Sequence, residues 1–200
     1  STNHRIWPGG SQSVFGQIDA ALHIFFMYLH AVKIQGIAYM NTPIIRLIEK
    51  KDNPQIAKVI RSVFEDMDIP KTGTAYEDKA LDSMFEAYDK DRACYFVVEA
   101  NGTVIGGAGI AKLDNYEGNV CELQKMYFLP EARGKGLGAT MIKMCLVKAR
   151  EFNFEKCYIE TMPDMTAAQK LYKSVGFEFL DGPLGDTGHH SCPVHMLMKL

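Results

Sequence analysis

The sequence predicts an α/β protein in which one mixed sheet is flanked by helices. Three observations carry this expectation. Segments with apolar residues at helical spacing are interleaved with short β-rich runs. Asn101-Gly102 stands between two such runs, the strongest short-range hairpin signal. A strand at Val120–Phe128 leads through a glycine-rich turn into an amphipathic helix and then another strand, the pattern of a crossover connection.

Taken in order, Ile44 to Ile48 reads as a short strand, and Asp52 is placed to cap a helix whose apolar positions are Ile56, Val59, Ile60, Val63 and Phe64. Asp78 to Tyr88 repeats the helical period through Leu81, Met84, Phe85 and Tyr88, ending in a charged run. Cys94–Ala100 and Thr103–Ile110 form the arms of the hairpin, and Gly106-Gly107 signals a bulge or a close backbone approach. In Val120–Phe128 the alternation breaks between Leu123 and Met126, as one extra residue in a β-bulge produces. A helix follows from about Gly138 to Phe152, with Met141, Ile142, Cys145, Leu146 and Ala149 on one face. Cys157–Glu160 is a strand. Thr166 and Gln169 have capping-box spacing for a helix bearing Ala168, Leu171, Tyr172 and Val175, which Gly176 stops. Phe177–Leu180 and Val194–Leu200 close the chain as strands around a Gly/Pro/His loop.

At 200 residues, with 47% hydrophobic and 23% charged residues, the chain suits one globular domain. A net charge of -2 leaves no basic footprint, so no nucleic-acid partner is expected. Cys94, Cys121, Cys145, Cys157 and Cys192 are odd in number and several lie in apolar segments, the pattern of buried thiols in a reducing compartment; a cytoplasmic location is expected.

The first 39 residues differ, with Arg5, Asp19 and Lys33 as their charges. Ala20–Val32 is a charge-free run of 13 residues, short of the roughly 20 that span a membrane, so no membrane partner is expected. Residues 1–39 are read as an extension, with Met40 a natural start and 40–200 as the domain. The competing reading is an extra helix packed on the domain or on a second subunit, which leaves a homodimer open.

The most informative stretch is Arg133-Gly134-Lys135-Gly136-Leu137-Gly138-Ala139, between a strand and an amphipathic helix. Glycines there leave backbone N–H groups unobstructed at a helix N-terminus, where the dipole favours an anion, and Arg133 and Lys135 add to the field. The turn suits a pyrophosphate; a tight turn without a ligand is the plain alternative. The G-K-[ST] ending of a P-loop is absent, and no G-x-G-x-x-G follows the first strand.

Leu123 to Ala139 reads L-x-x-M-x-F-x-P-x-x-R-G-K-G-L-G-A, and Ala168 to Phe177 reads A-x-x-L-Y-x-x-x-G-F. Both resemble segments of the GCN5-related N-acetyltransferase (GNAT) family, and the resemblance extends from about Ile44 to Leu200. It implies a largely antiparallel mixed sheet and acetyl transfer from acetyl-CoA to a primary amine. The backbone of Met126, Tyr127 and Phe128 would pair with the pantetheine arm as an added strand does. The amides of Arg133 to Ala139 would hold the pyrophosphate, and a bulge N–H would face the thioester oxygen. The strands would splay at the bulge and beyond Glu160 to leave the cofactor slot. Met165 departs from the family, where Asn is often found. A non-catalytic acyl-CoA-binding module on the same fold is the rival expectation, and a nucleotide-binding protein using the same turn is a third.

An amine of pKa near 10 is only about 0.1% neutral at pH 7, so a base is needed. Glu122, six residues before Phe128, matches where several family members place a catalytic glutamate; the alternative is an exposed carboxylate paired with lysine. Tyr172 matches the family tyrosine that protonates the departing thiolate; the alternative is a core aromatic. His189, His190, Cys192 and His195 suggest H-x-C-x-x-H, but in a regular strand His190 and Cys192 would face away from His195, so no metal is expected. An exposed turn histidine is the default reading of His189 and His190, and lining of the acceptor pocket by one of them is the functional alternative. Cys121 and Cys157 read as core residues, and direct attack on a thioester needs no cysteine nucleophile.

Overall fold

The structure, a computed structural model, describes residues 42–200. The expectations for residues 1–39, including the Ala20–Val32 run and a start at Met40, lie outside the described residues.

Strand β1 (Ile44–Leu47) leads through a 3-10 turn at Lys50–Asp52 into α1 (Asn53–Asp66). Two further 3-10 turns, Ala75–Glu77 and Lys79–Ser83, precede α2 (Met84–Tyr88). Then come β2 (Cys94–Ala100), β3 (Thr103–Lys112), β4 (Val120–Phe128), α3 (Leu137–Glu151), β5 (Lys156–Thr161), α4 (Thr166–Ser174), β6 (Glu178–Leu180) and β7 (Val194–Lys199). The seven strands lie in the order β1-β2-β3-β4-β5-β7-β6. Every pair is antiparallel except β4 with β5, which the α3 crossover joins in parallel. The mixed sheet read from the sequence is therefore present.

Both faces of this sheet are covered, which is why β2 and β3 read as nearly continuous apolar runs rather than alternating ones. On one face Phe96, Val98, Ala108, Ile110, Cys121 and Leu123 pack with Met141, Ile142, Cys145 and Leu146 of α3 and with Tyr172 of α4. On the other, Tyr95, Val97 and Ala111 pack with Ile56, Ile60 and Phe64 of α1 and with Leu81 and Met84. Fully burying a side chain of this size contributes about 1.5–3 kcal/mol, so these two layers hold the fold. Asn101 and Gly102 sit at φ 51° and 78°, as the two-residue hairpin turn requires, and Ala100 pairs with Thr103 across it.

Three local expectations need correction. Asp52 does not cap α1: its carboxylate is fully buried, takes both ends of the Arg46 guanidinium at 2.6 and 2.9 Å, and accepts from the Glu49 amide at 2.8 Å. Pairing with Arg46 and Glu49, on the N-terminal side of Asp52, takes the carboxylate away from the helix amides. The helix expected over Asp78–Tyr88 is broken at Ser83, and only Met84–Tyr88 is α-helical. The amide of Phe85 in its first turn is capped from α1 by Asn53 Oδ1 at 2.7 Å. The Thr166–Gln169 capping box is also absent. Thr166 is already helical, and the Gln169 side chain donates to the carbonyls of Met162 and Pro163 at 2.9 and 3.0 Å. Gly176, at φ 109°, does stop α4, with its amide donating to Lys173 and that of Phe177 to Tyr172.

Candidate active site

The site is built on a fork between β4 and β5. Their parallel ladder has three rungs, Val120 with Lys156, Cys121 with Cys157 and Glu122 with Tyr158. Past Glu122 each strand follows its other neighbour: β4 stays with β3 to Phe128, and β5 stays with β7 to Thr161. The edge of β4 from Met126 to Phe128 is thus unpaired on the side facing β5, ready to accept an added extended chain.

The bulge read from the sequence lies in this stretch, where two residues of β4, Lys125 and Met126, oppose Ala108. Lys125 sits at φ 49°, a sparsely populated region for a residue with a side chain. It is held at both ends, by the Tyr95 hydroxyl on its carbonyl at 2.8 Å and by Asp78 on its Nζ at 2.5 Å. The extra residue returns Met126 and Phe128 to the Leu123 side of the sheet. Gly106 and Gly107 are the close approach anticipated from their sequence: a Cβ at Gly106 would enter the Phe128 ring, and one at Gly107 would stand 2.6 Å from Tyr95.

A groove of about 460 Å³ runs along this edge. Met126, Tyr127 and Phe128 form one wall, the turn Arg133, Gly134, Gly136, Leu137, Gly138 and Ala139 closes one end, and α4 with Leu171 and Tyr172 forms the other wall. Lys135 is exposed and does not line it. Gly134 and Gly136 lie at φ 72° and 75°, turning the chain into α3. Thr140 makes the first helical bond, to Gly136, so the amides from Gly134 to Ala139 have no acceptor among the described residues. That row of N–H groups, at the positive end of a 15-residue helix, is a ready anion site. The Arg133 Nε donates to the Phe128 carbonyl at 2.9 Å and so ties the turn to the strand. Met165 lines the groove and accepts a 3.4 Å contact from the Thr161 hydroxyl on its sulfur.

A second cavity, of about 370 Å³, has Glu122, Gln124, Lys125, Tyr88, Asp78 and His189 in its walls. Between the two lies a narrow space of about 40 Å³ that shares Met126 and Tyr172 with the groove and Lys125 with the cavity, with Glu160 and Cys192 on its wall. The groove and the cavity thus each adjoin this narrow space, on whose wall the bulge residues Lys125 and Met126 lie.

Glu122 stands at the last rung of the fork, 3% exposed, with its Oε2 accepting from Gln124 Nε2 at 2.6 Å. Burial raises its carboxyl from the ordinary 4.5 to about 7; the Gln124 hydrogen bond opposes this and the neighbouring Glu160 adds to it. The alternative of an exposed carboxylate paired with lysine is overturned. Tyr172 is buried, its ring 6.0 Å from Phe177, and its hydroxyl has no hydrogen-bond partner among the described residues. Burial pushes the phenol above its ordinary value. It is a core aromatic by its ring and a groove residue by its place.

It is His189, the residue just before the H-x-C-x-x-H pattern of His190, Cys192 and His195, that reaches the cavity, with Nε2 3.1 Å from Asp78 Oδ1 and Nδ1 3.9 Å from Glu160. Burial opposes a charge on its ring, but the hydrogen bond and charge of Asp78 outweigh it and raise the imidazole above its ordinary value. Cys192 lines the narrow space, its thiol pushed up to about 11 by burial, and His195 stacks on Tyr158 from β7. The ligand atoms of Glu122, Glu160 and His189 lie within 4.8 Å of one another, a grouping different from the one the spacing suggested.

Sequence reasoning missed Gln124, Lys125, Asp78 and Glu160. Gln124 was within reach, since two residues from Glu122 along a strand is the same face. Asp78 and Glu160 come from separate elements, and no local pattern brings them together.

The model of the acetyltransferase (GNAT) family matches residues 60–177. An uncharacterised N-acetyltransferase of Escherichia coli is 44% identical over 160 residues, 80% of this chain and 96% of that protein. Among solved structures, a GNAT-family acetyltransferase of Staphylococcus aureus superposes with a TM-score of 0.71 at 18% identity, covering 80% of this chain and 99% of that one. An acetyltransferase of Salmonella typhimurium, solved with its cofactor acetyl-CoA, gives 0.64 at 21% identity over 80% and 94% of the two chains.

Proposed function

Because the chain belongs to the acetyltransferase (GNAT) family, we propose that it moves the acetyl group of acetyl-CoA onto a primary amine by direct attack, with both substrates bound at once. The observation that carries this reading is the row of unpartnered amides from Gly134 to Ala139, which ends a groove whose other wall is the unpaired edge of β4.

The residues fit the cosubstrate. The turn amides take the diphosphate, with the α3 dipole adding to their field. The edge of β4 from Met126 to Phe128 that faces β5 takes the amide-bearing pantetheine arm as a neighbouring strand would. This directs the thioester to the narrow space beside Tyr172 and the bulge, where a backbone N–H at Lys125 or Met126 is the donor for the charge that develops on the carbonyl oxygen. The acceptor enters through the second cavity, whose volume of about 370 Å³ sits at the small end of ligand pockets, roughly 300–1,000 Å³. Glu122, with a carboxyl near 7, is matched to take a proton from the incoming amine at neutral pH. Tyr172, kept protonated by burial, supplies the proton that quenches the departing thiolate.

The acetyltransferase unit is assigned to residues 40–200 and residues 1–39 to an extension. No described helix is long and apolar enough to cross a membrane, and a cytoplasmic location is proposed from the five free thiols, four of them buried. A homodimer is compatible with this reading.

The test is a panel of small amines, amino acids, diamines and peptides incubated with acetyl-CoA, reading released thiol and acetylated product together. Equal amounts of both on some acceptor support transfer. Tight acetyl-CoA binding with no release on any acceptor instead supports the non-catalytic acyl-CoA-binding reading, which Met165 at a family Asn position favours.

A further inference from the structure

Glu160 lies on β5 across the fork from Glu122, and its side chain is 6% exposed. Two hydroxyls already donate to it, Tyr158 to Oε1 and Thr187 to Oε2, at 2.8 and 2.7 Å. Each carboxylate oxygen has a second lone pair, so further acceptor capacity is left. Glu160 lines the narrow space at the acyl end and Glu122 lines the second cavity, while their nearest oxygens are within 4.8 Å of each other. The pair therefore spans the junction at which an acceptor in the cavity would meet a thioester in the groove.

The charges at that junction do not balance. Asp78, Glu122 and Glu160 face Lys125 and His189, and Asp78 already engages both cations, Lys125 at 2.5 Å and His189 at 3.1 Å. His189 reaches Glu160 only at 3.9 Å. Lys79, Lys90 and Asp114 lie on the exposed rim of the cavity, where water screens them. With every group ionised, one negative charge is left between two buried carboxylates, a costly state unless a cation or a proton compensates it.

We propose that Glu160 is a second acceptor-binding carboxylate, which together with Glu122 receives the reacting nitrogen of a primary amine in its ammonium form. This rests on the transfer reading given above. The ammonium closes the charge deficit and is the form in which more than about 99% of a simple amine arrives at pH 7. Glu122 then takes one proton, leaving R–NH2 with its lone pair free. The nitrogen bonds to the thioester carbon as the carbon–sulfur bond breaks, and CoA leaves as a thiolate. That thiolate takes the proton of Tyr172, and the amide nitrogen returns its second proton to Tyr172. Glu122 releases the first proton to solvent. Glu160 moves no proton; it holds the ammonium against Glu122 before the transfer.

Glu160→Gln keeps the shape and removes the charge, with one of the two hydroxyl donors, Tyr158 or Thr187, left facing an amide N–H. At pH 7 its KM for the amine should rise at least tenfold, with KM for acetyl-CoA and the melting temperature little changed. An unchanged amine KM in the folded variant overturns the proposal. In the unsubstituted protein, an unreactive tertiary-amine analogue of the best acceptor should compete with it at least tenfold more tightly than the corresponding alcohol. Equal inhibition by the two overturns the proposal even if the variant does not fold. If no amine releases CoA from the unsubstituted protein, the transfer reading itself falls and this proposal with it. Turnover there with an insensitive Glu160→Gln removes the proposal alone.

Discussion

The side-chain amide of Gln124 donates to Glu122 at 2.6 Å, and it is the hydrogen-bonded partner of a carboxylate that burial otherwise leaves bare. Gln124 is fixed in turn by the Tyr88 hydroxyl on its own oxygen at 2.8 Å. This chain aims Glu122 with a neutral donor, whose hydrogen bond only partly offsets the burial that lifts its carboxyl to about 7. The rate with a good acceptor should therefore climb with pH through about 7 as Glu122 ionises. Glu122→Gln should cut turnover about a hundredfold or more and flatten that limb. A variant retaining both the limb and the rate would assign the base elsewhere.

The same group links stability to pH. Native Glu122 keeps its proton up to about pH 7, whereas the unfolded chain releases it near 4.5. Between these values the folded protein holds more protons, so the contribution is favourable below 4.5 and lost as pH rises through 7. The full loss is of order 3 kcal/mol. Glu122→Gln, neutral at every pH, should melt higher than the parent at pH 8 and differ little at pH 5. Calorimetry at both values checks the sign.

Tyr172→Phe should lower turnover roughly ten- to a hundredfold, about 1.4–2.7 kcal/mol of barrier, with acetyl-CoA affinity and melting temperature nearly unchanged. The hydroxyl makes no hydrogen bond among the described residues, so its loss leaves no unpaired partner. Burial lifts the phenol above its ordinary value, so any alkaline limb in the parent profile should persist in the variant. Parent-like turnover would reduce Tyr172 to a packing residue.

Gly138 is a cleaner probe of the cofactor turn than Gly136. At Gly136, φ 75° makes any side chain strained, so fold and binding would suffer together. Gly138 is helical, and a Cβ there would stand 3.2 Å from Leu171 and 3.4 Å from Met126, both lining the groove. Gly138→Ala should weaken acetyl-CoA binding about tenfold while stability holds, since alanine favours the helix. Isothermal titration with acetyl-CoA decides; an unchanged Kd in the folded variant removes the pyrophosphate assignment.

A chain beginning at Met40 should fold and bind acetyl-CoA as the full chain does, because it keeps every strand, helix and core residue of the described part, from Ile44 onward. Aggregation or a much lower melting temperature in the short form would make residues 1–39 part of the domain.

Residues close together in the chain made much of this protein legible. The hairpin at Asn101-Gly102 follows from two positive φ angles that those residues tolerate, and the bulge follows from a broken alternation between Leu123 and Met126. The glycine turn before α3 is equally local. Those signals gave the hairpin, the bulged strand and the turn that closes the groove, while the splayed strands followed only from the resemblance to a family. What only the tertiary structure decided is the environment of the chemistry: that Glu122 is buried, that Asp78 meets both Lys125 and His189, and that Glu160 faces Glu122 across the fork. Asp78 and His189 are joined across 111 positions of sequence. Charge and desolvation act through space at a few ångströms, and no periodicity along the chain encodes which distant side chains will share it.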